Sequence, residues 1–136
     1  MKLLIENSDF KEIESSELRV INSFFLYINS KLTSLRIPNV YKIDDDFLFC
    51  NTVLTELYAP ELMFGGDWFL YNNISLTELN TPKLNKFGSN CLYHNHSLNN
   101  IIIDKKCIRG RYFLRCNPNY YEIIKQYPFM LLDSRF

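Results

Sequence analysis

The chain has 136 residues, with 15 Lys+Arg against 15 Asp+Glu and a formal net charge of zero. That length fits one domain, and the balanced charge argues against general polyanion binding, because phosphate affinity comes mainly from neutralised charges. Hydrophobic residues at 47% and aromatics at 15% supply a core and exclude disorder as the default, and no apolar run approaches the ~20 residues of a membrane-spanning helix.

At the N-terminus, Leu3, Leu4 and Ile5 are followed at once by Glu6 and, soon after, Asp9. This is too short for the ~7–15-residue apolar core of a secretory signal. The expectation is a cytoplasmic chain whose residues 1–9 form an N-terminal cap with a first strand from Leu3-Leu4-Ile5. Cys50, Cys91, Cys107 and Cys116 form no C-x-x-C pair and are expected to be reduced.

From residue 10 the chain repeats every 22 residues. Leu54-Thr55-Glu56-Leu57 returns unchanged as Leu76-Thr77-Glu78-Leu79. One apolar column runs Phe10, Leu32, Leu54, Leu76, Leu98, Tyr120, and a second runs Ile13, Leu35, Leu57, Leu79, Ile101, Ile123. Pro38, Pro60 and Pro82 form a third column, and Leu18, Val40, Leu62 and Leu84 a fourth. Leu26, Leu48, Leu70, Leu92 and Leu114 are leucine in every turn, preceded by Phe25, Phe47, Phe69, Cys91 and Phe113. Asn29, Asn51, Asn73, Asn95 and Asn117 are asparagine in every turn.

A period in this range identifies a stacked-repeat architecture. A 22-residue unit cannot close a core alone, so successive turns bury a shared apolar column and touch only their neighbours. Leu35 and Ile37 alternate as inward side chains of a short strand, and Pro38 lacks the donor needed to continue the ladder. The strands of successive turns are expected side by side in a parallel sheet. Val40 and Ile43 return to the interior, and Phe47 to Asn51 close the turn as a single turn of 3₁₀- or α-helix. The asparagine column supplies buried donors and acceptors to the backbone of its own turn and the next, a structural ladder.

The stretch Leu32 to Asn51, L-x-x-L-x-I-P-x-V-x-x-I-x-x-x-F-L-x-C-N, resembles a leucine-rich repeat. It is most similar to the BspA-like subtype of bacterial surface antigens, over residues 10–120. This period is one residue shorter than the subtype usually shows, and its I-G step is missing at Asp44 but present as Phe87-Gly88. The resemblance implies a short leucine-rich-repeat stack, with a parallel β-sheet on one face and turns or short 3₁₀/α segments on the other. About five turns over residues 10–118 and a cap over residues 119–136 make one domain. In the cap Tyr120, Ile123 and Ile124 still follow the repeat, Pro128 stops any helix, and Phe129-Met130-Leu131-Leu132 form a lid over the last turn or dock on another chain.

Chemistry-bearing motifs are sparse. Cys91-x-x-His94-x-His96 has the short spacing of zinc ligands. However, Cys91 stands in the phenylalanine column and His94 in that of Cys50, Asn72 and Cys116, so the repeat accounts for both and no metal or other cofactor is expected. Gly65-Gly66 reads as a turn, and Asp44-Asp45-Asp46 as a solvated turn without the ligand spacing of a calcium loop. No nucleophile–base arrangement emerges, so an enzyme is not expected.

The outward face of the strands is the informative surface. If Leu35 and Ile37 face in, Ser34 and Arg36 face out, and the 22-residue step adds Glu12, Glu14, Glu56, Tyr58, Glu78, Asn80, Asn100, Ile102, Glu122 and Ile124. Glu56 and Glu78 become neighbours whose like charges repel modestly unless Arg36 or Lys83 helps. Arg36, Glu56, Tyr58, Glu78, Asn80 and Ile102 are the candidate contacts for another protein with a basic, partly apolar surface. Lys105, Lys106, Arg109, Arg111 and Arg115 balance this acidic stripe, but one short cluster at zero net charge is weak ground for direct nucleic-acid contact.

The expected function is therefore non-enzymatic protein binding through the exposed sheet. A second reading is a stoichiometric inhibitor of a nucleic-acid enzyme, an anti-CRISPR-like counter-defence protein of a phage or mobile element, acting through its acidic face. A third is an adhesin or surface-protein fragment.

Overall fold

The structure, a computed structural model, describes residues 9–128 and 130–132. The expected N-terminal strand at Leu3-Leu4-Ile5 and the lid residue Phe129 lie outside the described residues. The period of 22 becomes a coil. Each coil gives one three-residue strand to a first sheet: β1 (Glu12–Glu14), β3 (Ser34–Arg36), β5 (Glu56–Tyr58), β7 (Glu78–Asn80) and β9 (Asn100–Ile102). These pair in parallel in the order β1-β3-β5-β7-β9. The register is the repeat itself: Leu35 sits opposite Ile13 and Leu57, and Leu79 opposite Ile101. The architecture is a parallel β-solenoid.

A second sheet, absent from the sequence-based expectation, covers another side. It contains β2 (Val20–Ile21), β4 (Lys42–Ile43), β6 (Phe64–Gly65), β8 (Lys86–Phe87), β10 (Ile108–Arg109) and β11 (Leu131–Leu132). These two-residue strands are also parallel, in the order β11-β10-β8-β6-β4-β2. Ile21 and Ile43 point inward and are almost fully buried. Gly65, expected in a turn, is a strand residue here. Gly66 marks the corner after β6: a Cβ there would lie 2.7 Å from the carbonyl carbon of Asp44, so only glycine lets the coils approach this closely.

The third side departs further from expectation. It is neither 3₁₀ nor α. Three residues in every coil have positive φ, for example Asp46 (57°), Leu48 (52°) and Cys50 (57°). A run of alternating hand cannot bond to itself as a helix does, so its backbone bonds to the coils on either side. Asp46 N–H donates to Asp67 C=O at 2.9 Å, Leu48 N–H to Phe25 C=O at 3.2 Å, and Cys50 N–H to Tyr71 C=O at 2.8 Å. Left-handed leucine costs conformational energy, which these bonds and full burial of Leu26, Leu48, Leu70, Leu92 and Leu114 offset.

The leucine and phenylalanine columns and the inward strand residues make one continuous core. The phenylalanine column is broken at Cys91, and the structure shows how the volume is restored. In the third coil, Gly65 leaves room for Phe69; a Cβ on Gly65 would lie 3.1 Å from the Phe69 ring. In the fourth coil the sizes are exchanged, and Phe87 projects from the second sheet where Cys91 is small. The Phe87 ring stands 5.8 Å from Phe69 and 4.9 Å from Phe113, so the aromatic row is continuous.

The fifth coil slips by one residue. Val40, Leu62 and Leu84 each donate to the carbonyl three residues back, but here it is Cys107, not Lys106, that donates to Asp104. Asp104 Oδ1 accepts from Lys106 N–H at 2.7 Å. Lys106 is thereby held outside and Cys107 fills the interior position that Leu84 fills one coil earlier.

Beyond it the chain forms α1 (Tyr120–Ile124) where a sixth strand of the first sheet was expected. Glu122 and Ile124 therefore lie on a helix and not in the outward strand row. A helix satisfies its own backbone bonds, so it follows the edge strand β9 without presenting a further strand edge. Ile123 is fully buried, and Tyr127 Oη donates to Ile101 C=O at 2.5 Å. Leu131 and Leu132 pair with Ile108 and Arg109, so this part of the tail extends the second sheet. Among the described residues no helix is long and apolar enough to cross a membrane.

Candidate functional site: the outer face of the first sheet

Strand alternation puts Leu35, Leu57, Leu79 and Ile101 into the core and turns the residues on either side of each outward. In-register pairing then aligns the outward residues in two rows. One row is Glu14, Arg36, Tyr58, Asn80 and Ile102, paired strand to strand. The other begins Glu12, Ser34, Glu56, and the same register continues it through Glu78 to Asn100. All six candidate contact residues thus share one surface. Tyr58 and Ile102 are 41% and 39% exposed, large values for such side chains on a packed sheet.

The charges on this face are organised. Arg36 Nη1 bonds Glu56 Oε1 at 2.5 Å, and its guanidinium carbon lies 4.3 Å from the Tyr58 ring centre. An exposed ion pair of this kind contributes ~0.2–1 kcal/mol, and a cation over an exposed ring contributes ~0.5–1 kcal/mol. Glu78 accepts from the Asn100 amide at 2.9 Å. Lys83 takes no part, because it pairs with Glu61 at 2.6 Å in the following loops. Between β5 and β7 lies a cleft of about 290 Å³ lined by Glu56, Tyr58, Pro60, Glu78, Asn80 and Pro82, floored by Leu57.

The asparagine column is internal. Asn51, Asn73 and Asn95 each donate from Nδ2 to a leucine carbonyl of the preceding coil, at 2.8, 2.8 and 2.7 Å, and to a carbonyl of their own coil. Asn95 Oδ1 accepts from Asn73 N–H at 3.0 Å. Asn117 Nδ2 donates to Asn95 C=O at 2.8 Å. Asn29 is likewise fully buried. The amides therefore reach back to the coil before rather than on to the coil after.

The structure separates Cys91-x-x-His94-x-His96. Cys91 points inward, with Sγ 3.0 Å from the Gly66 carbonyl, whereas His94 and His96 stack on each other outside at 5.5 Å. Among the described residues no group of three His, Cys, Asp or Glu side chains converges to hold a metal ion. Burial pushes the Cys91 thiol far above its ordinary range, and burial followed by the nearby Asp104 pushes Cys107 up to about 12. The Asp44-Asp45-Asp46 turn has structural work: Asp45 Oδ1 accepts from Asp67 N–H at 2.7 Å, and Asp67 Oδ1 accepts from Ser89 N–H at 2.7 Å. Burial, then the neighbouring Asp45 and Asp67, raises the Asp46 carboxyl.

Trp68, Tyr71 and Tyr93 read from the sequence as aromatics on turns near the sheet face, but the column that two of them belong to was not recognised. Tyr27, Phe49, Tyr71 and Tyr93 stack coil upon coil on the third side, with centroids 4.9, 4.6 and 5.3 Å apart. The 22-residue step would have found this column too. Trp68 meets Tyr71 edge-on at 5.2 Å, so the rings spend their faces on one another. In the basic cluster, Lys105 lies 4.9 Å over the Tyr127 ring and Arg115 lies 5.0 Å over Tyr112. Comparison with protein-family models, with curated proteins and with solved structures finds no match to this chain.

Proposed function

We propose that this chain is a non-enzymatic protein-binding module of the leucine-rich-repeat kind, nearest in pattern to the BspA-like subtype, and that it binds through the outer face of its five-stranded sheet. One observation carries the reading: that face joins an exposed tyrosine, an exposed isoleucine, an ion pair and a cleft with apolar walls, whereas the asparagine and aromatic columns are consumed in holding the coils together. Aromatic and arginine groups surrounded by apolar contact are the usual centres of protein interfaces. The two buried thiols are held protonated, so neither is an activated nucleophile. Free cysteines suit a reducing, cytoplasmic setting. The acidic-inhibitor reading calls for a continuous negative ladder, and Arg36, Ser34, Asn80 and Asn100 interrupt it; a basic protein surface fits this mixed face better.

Affinity capture from a lysate, comparing the chain with its Glu56→Lys/Glu78→Lys variant, tests the reading. Partners should be recovered in yields at least tenfold lower with the variant, since tenfold needs only ~1.4 kcal/mol and adverse charge at an interface costs several kcal/mol. Recovery of the same partners at the same yield would remove this face from consideration.

A further inference from the structure

Two adjacent strand pairs of the first sheet each present a carboxylate near the same ring, that of Tyr58, but only one of them holds a cation there. Between β3 and β5, one guanidinium is held by a carboxylate and an aromatic ring together: Arg36 bonds Glu56 at 2.5 Å and covers Tyr58 at 4.3 Å. Arg36 stands directly across from Tyr58 and diagonally from Glu56. One strand on, Tyr58 stands directly across from Asn80, and so diagonally from Glu78. The place of the arginine relative to the second carboxylate is thus taken by the tyrosine itself. The chain supplies Glu78 and shares the ring, but puts no cation at that place. Glu78 instead accepts from a neutral amide, that of Asn100, at 2.9 Å. The cleft that opens here is lined by Glu78, Tyr58 and Glu56 and by the apolar rings of Pro60 and Pro82.

We propose that this cleft takes an arginine side chain of a partner protein, with its guanidinium on the Glu78 carboxylate beside Tyr58 and its methylenes against Pro60 and Pro82. The inference rests on the sheet-face reading above and narrows it to one occupant. Arginine is selected over lysine for two reasons. A planar guanidinium can meet a carboxylate through paired N–H groups and stack on a ring at the same time, whereas an ammonium is a compact, strongly hydrated point charge. The stem of arginine also covers apolar surface, which matches two proline walls. Arg36 is the internal precedent, since the same face already holds its guanidinium by a carboxylate, that of Glu56, and by the Tyr58 ring.

The test is an NMR titration of the full chain with a capped Ser-Gly-Arg-Gly-Ser peptide, alongside peptides carrying lysine or neutral citrulline at the centre. The arginine peptide should shift the signals of Glu78, Tyr58, Asn80 and Asn100, with the citrulline peptide about tenfold weaker, as expected for loss of a charge-assisted pair. Glu78→Gln should abolish these shifts while leaving the melting curve in place. Arg36→Ala should add a second set of shifts at Glu56 and Tyr58, because it vacates the internal site. Equal binding of citrulline, an unaffected Glu78→Gln variant, or no new shifts in Arg36→Ala would each overturn the proposal. A peptide that fails to bind, together with partner capture that still depends on Glu56 and Glu78, would overturn the arginine site and leave the sheet-face reading standing.

Discussion

The outer face of the first sheet and the third side of the solenoid obey the same 22-residue period yet use it in opposite ways. On the third side the side chains repeat: leucine in every coil, asparagine in every coil, and a ring at Tyr27, Phe49, Tyr71 and Tyr93. On the sheet face they change at every step but that from Glu56 to Glu78: one row runs Ser34, Glu56, Glu78, Asn100, and the other Arg36, Tyr58, Asn80, Ile102. A column that touches its own copies above and below must keep one chemistry. A column that points to water is released from that demand, so variation along it is where recognition can be written. Repetition in this chain therefore marks what holds the coils, and departure from repetition marks either a local repair of packing or a contact surface.

The sharpest way to break this contrast is inside the core. Phe87→Gly should destabilise by ~3–5 kcal/mol, because it empties the space beside the small Cys91. Cys91→Phe alone should cost ~1–3 kcal/mol by overpacking against Phe87. The double variant restores the Gly65–Phe69 arrangement of the coil before, and should recover more than half of the larger loss. Urea unfolding of the four chains gives the coupling; additive losses would mean that the two positions do not share one space. Next in size, Asn95→Ala removes a donor to Leu70 C=O and the acceptor of Asn73 N–H. Stability should fall by ~1–3 kcal/mol, the cost of buried groups left without partners. A fall no larger than that of a surface substitution would show that the amide ladder is not a structural element. The smallest effect belongs to the sheet face. Arg36→Ala removes an exposed pair and a ring contact, and should lower stability by no more than ~2 kcal/mol, the sum of the two upper values. A larger drop in the unfolding midpoint would make this face part of the scaffold rather than a free surface.

Much of the scaffold was legible because its period is short and its columns are pure. Leu35 and Leu57 read as inward strand residues from spacing alone, and Arg36, Glu56 and Tyr58 as outward ones. The second sheet was not legible, because two-residue strands such as Lys42–Ile43 are shorter than any alternation pattern can reveal. The left-handed residues of the third side were equally hidden. Leucine and phenylalanine do not signal positive φ as glycine does, and only the bonds from neighbouring coils make Leu48 and Leu70 adopt it. Cys107 was hidden by a slip that needs Asp104 to turn the loop.

Taken alone, the amino-acid order determined that coils of 22 residues stack, which residues face inward, and which six share an outer surface, because a repeated pattern of apolar groups has only one economical way to leave water. Tertiary structure decided what those surface groups do: that Arg36 serves Glu56 and Tyr58 while Lys83 serves Glu61, that Phe87 replaces the ring missing at Cys91, and that α1 replaces a sixth strand. These outcomes depend on distances between side chains in different coils, and such distances exist only after the coils have been laid on one another.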